Sequence, residues 1–266
     1  MDKRKTILVL GLAGFVVMAD NWVVSPILPT IAKDIGVSIP DAALIITAYM
    51  IPFALFQLLF GFLADRYGKF RVINLAMVFF TLASALCATA AGLTDLVIYR
   101  ALTGVFAASV MPVSLALIGD LFPIQQRQAA IGTFLGISFL GQGLSMAIGG
   151  SIAYFVSWRG VFATYAVFAA AATVLLFIMG KHIPATTNPQ AKFWEVYRNI
   201  LKNSSSLRIY ILVLFEGVFL TGSFSFLGAF IIVQFDLNNF LIGLIMTAFG
   251  VMAIIGGRIS GKMAGR

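Results

Sequence analysis

The stretch Gly61-Phe62-Leu63-Ala64-Asp65-Arg66-Tyr67-Gly68-Lys69-Phe70-Arg71 sets four charged residues and two glycines between two long apolar runs. Gly61 lets two helix backbones approach closely. Gly68 permits a tight turn, and Asp65 can pair with a basic group or cap a neighbouring helix N-terminus. Anchoring to anionic headgroups alone would use the basic residues but require neither the aspartate nor the glycines. The segment reads as a built connection between two helices.

The runs on either side are membrane spans. Of the 266 residues, 61% are hydrophobic and 11% charged, and the mean hydropathy is +1.01. A soluble domain carries roughly 25% charged residues, so this chain lacks the charge to cover a water-facing surface. A helix needs about 20 mostly apolar residues to cross the hydrocarbon core. Eight segments qualify: Thr6–Leu28, Ala42–Leu63, Val72–Leu93, Leu96–Ile118, Ala129–Val156, Gly160–Gly180, Ile209–Val233 and Phe240–Gly257. None alternates apolar and polar residues as a membrane β-barrel strand does. The expected fold is an all-α membrane protein. The first run carries Asp20, Pro26 and Pro29 and no small-residue cleavage site, so it is a first span and not a signal peptide.

The net charge of +8 does not indicate nucleic acid, because the basic residues fall in short clusters between apolar runs and not on one solvated face. Those clusters orient the chain instead. With a cytoplasmic N-terminus, 15 of the 18 Lys and Arg residues lie inside, among them Arg66, Lys69, Arg71 and Arg127. Only Lys33 and Arg159 lie outside, and Arg100 lies within the fourth span. Both ends are therefore expected to face the cytoplasm of an inner or plasma membrane. A polar linker containing Pro184 and Pro189 separates six spans from two. The expected organisation is a six-helix bundle over 1–180, a cytoplasmic linker over 181–207 and a partial bundle over 208–266.

The quoted loop resembles the signature loop of the major facilitator superfamily, Gly-x-Leu-Ala-Asp-Arg-x-Gly-Arg/Lys-x-Arg/Lys, through Gly61, Asp65, Arg66, Gly68, Lys69 and Arg71. Asp20-Asn21-Trp22-Val23-Val24-Ser25-Pro26 resembles the first-helix motif of that family's drug:proton antiporters. Arg100-Ala101-Leu102-Thr103-Gly104 is similar to its fourth-helix motif, with threonine in place of glutamine. Gly132, Gly141, Gly149 and Gly150 match the fifth-helix pattern Gly-x8-Gly-x3-Gly-Pro-x2-Gly-Gly, but Ser145-Met146 stands where Gly-Pro is expected. The resemblance implies two six-helix halves with the substrate site between them near the midplane. The chain would supply one complete half, the linker and two helices of the second, ending in a degenerate copy of the loop at Gly257–Arg266. An offset of 196 residues, which carries Gly61 to Gly257 and Asp20 to Glu216, supports a parallel repeat. The chain is thus expected to be truncated, and to be a monomer at full length.

Ionisable residues inside a bilayer cost several kcal/mol and are functional hypotheses. Three lie within spans: Asp20, Arg100 and Glu216. The resemblance places all three on helices that line the central cavity. Asp20 and Glu216 are read as proton-coupling and substrate-binding carboxylates, with Arg100 setting which form is favoured. A permanent ion pair that locks helices together is the competing reading. Asn21, Gln57 and Gln142 are weaker cavity candidates, since interhelical hydrogen bonding explains each as well. Asp120 and Arg127 are expected to join Asp65 and Arg66 in a cytoplasmic charge cluster. The glycines of the fifth span, Gly132, Gly141, Gly149 and Gly150, are read as a seam that slides or bends.

The expected function is a secondary active transporter working by alternating access, exporting small apolar or cationic compounds against protons. A sugar or metabolite facilitator of the same superfamily is the alternative, kept open by the missing Gly-Pro. The single histidine, His182, lies in the linker and no Gly-x-Ser-x-Gly elbow occurs, which excludes a serine–histidine hydrolase. No phosphate loop supports an ATP-driven pump. The lone cysteine, Cys87, provides neither disulfide nor metal site, and no cofactor is implied. The expected partners are the bilayer, a small-molecule substrate and protons.

Overall fold

The computed structural model describes residues 3–179, 198, 202–235, 237–248 and 252, and among these every regular element is helical. The first span is split into α1 (Lys3–Trp22) and α2 (Val24–Ile35). Pro26 has no N–H to give the Trp22 carbonyl, so the ladder breaks where these two helices meet. A short α3 (Ile39–Ala42) leads into α4 (Leu44–Tyr67), and α5 (Lys69–Ala88) follows. The fourth span is again split, into α6 (Leu93–Ala107) and α7 (Val110–Leu121). Pro112 leaves the Ala108 carbonyl without its donor at that break. Then come α8 (Ile124–Phe155) and α9 (Trp158–Met179). Beyond the linker, α10 (Ser204–Glu216), a π-helical segment (Gly217–Gly222) and α11 (Ser223–Phe235) form one long rod. A last apolar helix, α12, covers Asn239–Ala248.

Among the described residues, seven helical stretches are long and apolar enough to cross a membrane. They correspond to the first seven expected spans. The eighth expected span is described only as α12 and at Met252; its remainder, the loop at Gly257–Arg266 and most of the linker lie outside the described residues. The helices run further than the apolar spans themselves. α2 continues to Ile35 through Lys33 and Asp34, and α8 begins at Ile124 and not Ala129.

Packing centres on α1, which lies against α8 and α9, while α4 pairs with α6, and α5 with α9 and α6. A Cβ on Gly141 would overlap the Phe15 carbonyl of α1, and one on Gly104 would overlap the Tyr49 carbonyl of α4. Without side chains at these points the backbones touch directly. Such contact drives helix association in lipid, where the hydrophobic effect does not separate helix from solvent. The turn between α4 and α5 is made at Gly68, whose φ of 100° few other residues adopt.

Candidate functional site

Two polar centres lie side by side in the bundle, and one turn of α1 serves both. At the first, Arg100 Nη1 on α6 donates to Asp20 Oδ2 at 2.6 Å and to the Asp20 carbonyl at 3.3 Å. Ser84 on α5 donates to Asp20 Oδ1 at 3.0 Å. Both members of the pair are sealed off, with 0% and 1% of their side chains exposed. The guanidinium carbon stands 4.3 Å from the centre of the Tyr49 ring and 5.8 Å from that of Phe162. Two ring faces therefore hold the cation alongside the carboxylate. Arg100 Nε and the Tyr49 hydroxyl are buried with no hydrogen-bond partner among the described residues.

The second centre is a cavity of about 340 Å³. Met18, Asn21 and Trp22 reach it from α1, Met50 and Phe53 from α4, and Phe139 and Gln142 from α8. Glu216, Leu220, Thr221 and Phe224 complete it from the seventh span. On each helix these positions recur at three- or four-residue spacing, the period of one helical face. Asp20 falls off the face of Met18, Asn21 and Trp22, which is why it turns inward to Arg100. Glu216, the one carboxylate among the described residues that line the cavity, ends α10 where the backbone widens into the π segment, and Thr221 one turn on donates to its Oε1 at 3.5 Å. π-helical turns are rare and often mark functional sites.

The structure thus separates residues that the sequence grouped. Asn21, Gln142 and Glu216 share the cavity; Asp20 and Arg100 pair behind its wall; Gln57 is half-buried on α4 and lines neither. The fourth span, expected on the cavity, contributes no lining residue because Arg100 is pinned toward Asp20. Tyr49, Ser84 and the aromatic and methionine lining were not singled out from sequence. The only available signal was Ser84 as a hydroxyl within an apolar run.

At the Asp65 end of the bundle, Lys69 Nζ lies 2.9 Å from Asp120 Oδ2 and 3.2 Å from Asp65 Oδ1. The signature loop is in this way tied to the end of α7. Arg66 is exposed over the Tyr67 ring and Arg71 is exposed. Arg127 stands apart, lining a separate cavity of about 530 Å³ with Ile124 and Gly132. The glycines of α8 divide likewise. A Cβ on Gly149 would meet Val23, and one on Gly150 the Asn239 carbonyl of α12, whereas one on Gly132 would meet nothing within 4 Å.

At the opposite end, Asp34 accepts hydrogen bonds from Trp158 Nε1 at 2.8 Å and Arg159 Nη1 at 2.7 Å. Arg159 also donates to the Ala90 carbonyl through Nε and Nη2. One arginine ties α2 and α9 to the turn after α5. The indole and then the guanidinium hold the Asp34 carboxyl below the usual carboxylate range.

This arrangement of kinked apolar helices around a polar midsection has known counterparts. Residues 10–266 match the Major Facilitator Superfamily. The chain belongs to that family. Its relatives include multidrug resistance protein 3 of Bacillus subtilis, 32% identical over 58% of this chain and 30% of that one. Puromycin resistance protein pur8 of Streptomyces alboniger is 35% identical over 58% and 31%. The hexuronate transporter of Bacillus subtilis is 32% identical over 71% and 45%. The matched stretches span less than half the length of these relatives. Among solved structures, an inward-facing bacterial homologue of the human lysosomal transporter Spinster superposes with a TM-score of 0.77 at 19% identity, over 98% of this chain and 62% of that one. A D-xylose–proton symporter gives 0.65 at 18% identity, over 93% and 65%. Both likenesses concern the fold. As a major facilitator chain with seven long apolar helices among its described residues, it is an integral membrane protein.

Proposed function

We propose that this major facilitator protein is a proton-coupled secondary transporter that expels small apolar or cationic compounds by alternating access. The observation that carries the reading is a carboxylate, Glu216, in an aromatic- and methionine-lined cavity, separated from a sealed Asp20–Arg100 pair. The lining offers apolar area, ring faces for a cation and adaptable methionine surface. Glu216 supplies the counter-charge. Asp20 is the proton-coupling group: protonation releases Arg100 from its carboxylate and leaves the cation on the Tyr49 and Phe162 faces. The proton-coupling and substrate-binding roles assigned jointly to Asp20 and Glu216 are in this reading divided between them.

Alternating access is supported by where the seventh and eighth spans meet the rest. Ser25 against Phe224, Thr30 against Asn239 and Phe155 against Phe240 all lie toward the Asp34 end. With the Asp65 end cytoplasmic, as the basic loops indicate, the Lys69–Asp65–Asp120 cluster is a cytoplasmic contact that changes between states.

The hexuronate transporter among the relatives favours a second reading, a sugar or metabolite carrier. Against it, Asn21, Gln142, Thr221 and Glu216 are few polar groups for a polyhydroxylated ligand. The test is substrate-induced proton release from purified full-length protein, screened over lipophilic cations and neutral sugars. Release with cations, abolished in Asp20→Asn and weakened at binding in Glu216→Gln, is expected. Release unaffected by Asp20→Asn would overturn the coupling role, and a response to sugars alone would establish the second reading.

A further inference from the structure

We propose that Thr247 is a positioning residue for transport: its hydroxyl is a reversible latch that ties α12 to the backbone of α8 just beyond the cavity. Thr247 Oγ1 lies 2.9 Å from the Gly143 carbonyl and accepts from the Ala147 amide at 3.1 Å. In an α-helix that carbonyl and that amide are each other's partners. The hydroxyl of a second helix therefore bridges one rung of the α8 ladder, within a helix that runs unbroken from Ile124 to Phe155. The backbones are close enough for this because both helices are bare at the crossing. Gly243 faces the Met146 carbonyl, and Gly150 faces the Asn239 carbonyl. Gln142, one residue before the bridged carbonyl, lines the cavity.

What makes the latch reversible is that every group in it has a substitute at home. A hydroxyl donates one proton, and Thr247 Oγ1 is also 2.8 Å from the Gly243 carbonyl of its own helix. If α12 withdraws, the hydroxyl keeps the Gly243 carbonyl and the Ala147 amide keeps its own helix, so only the interhelical contacts are given up. No buried polar group is orphaned, so separation avoids the penalty that normally makes interhelical hydrogen bonds in an apolar medium hard to break. Ser145 and Met146, where the antiporter pattern has Gly-Pro, fall inside the bridged turn. A proline would interrupt the helix permanently; here the helix is intact and is bridged by a side chain that can leave.

The proposal rests on alternating access, and one experiment separates the two. Spin labels on Val167→Cys of α9 and Leu244→Cys of α12, both exposed sites, report the separation of α12 from the bundle in the full-length protein. Distances are measured at acidic and alkaline pH. In the wild type two separations are expected. Thr247→Val keeps the shape, lacks the hydroxyl and should shift the ratio toward the wider one by roughly three- to tenfold, the worth of one net hydrogen bond. Thr247→Ser restores the hydroxyl and should return the ratio to the wild-type value. A Thr247→Val distribution identical to wild type, or equal shifts in the valine and serine variants, overturns the latch while leaving alternating access standing. A single separation in the wild type at every pH overturns both.

Discussion

The Asp20–Arg100 pair and the Lys69–Asp65–Asp120 cluster are built from the same chemistry at similar distances, yet they can do different things. The first is sealed, with 0% and 1% of its side chains exposed; in the second Lys69 is 12% exposed and Asp65 52%. A buried pair gains strongly from its partner only because each ion has lost water, so removing one member leaves an uncompensated charge. A half-exposed cluster exchanges protein for water at little cost. In the proposed function, the sealed pair is accordingly the one that would change state by moving a proton, and the open cluster the one that would do so by moving apart.

That contrast breaks first at Arg100. Arg100→Leu strands the Asp20 carboxylate and should lower stability by about 3–5 kcal/mol, read as thermal unfolding of the full-length protein in detergent. The double variant Asp20→Asn with Arg100→Leu should recover most of the loss. No recovery would mean that Arg100 matters through its ring contacts and not its charge.

Next in size is a comparison within α8. Gly141→Ala pushes a methyl into the Phe15 carbonyl and should cost about 1–3 kcal/mol. Gly132→Ala enters open space and should be neutral or stabilising by about 0.5–1 kcal/mol. Equal effects at the two sites would remove the distinction between the packed and free portions of the helix.

Smaller still, Lys69→Ala should change stability by about 1 kcal/mol or less, and less again at high salt. A loss as large as that of Arg100→Leu would erase the comparison. The Asp34 contacts sharpen it at the exposed extreme. Because the folded state holds this carboxyl below its ordinary value, the group stabilises the fold fully above about pH 4. The contribution fades as pH falls through the depressed value. A pH titration of unfolding should show that acid loss in the wild type and its absence in Asp34→Asn.

Much of this was legible in the chain itself. Span positions, the Gly68 turn and the candidate polar residues Asn21, Gln142 and Glu216 could be marked because lipid penalises each exception to an apolar run. The grouping of Asp20 with Glu216 could not be corrected from sequence. Asp20 and Asn21 are neighbours in the chain but point a third of a turn apart, and nothing local says which direction meets an arginine. Tyr49 and Trp22 looked like two aromatics among 25 phenylalanines, 7 tyrosines and 3 tryptophans.

By itself the sequence determined an all-helical membrane chain, because span length and hydropathy are local properties. Only the structure showed that the first and fourth spans break near Pro26 and Pro112, that Arg100 closes on Asp20, that Glu216 lines the cavity, and that Thr247 reaches α8. Helical periodicity fixes the faces of each rod. Which face meets which neighbour depends on the rotation and crossing of whole helices, and those are set by backbone contacts such as Gly104 on Tyr49 and Gly141 on Phe15, between residues far apart in the chain.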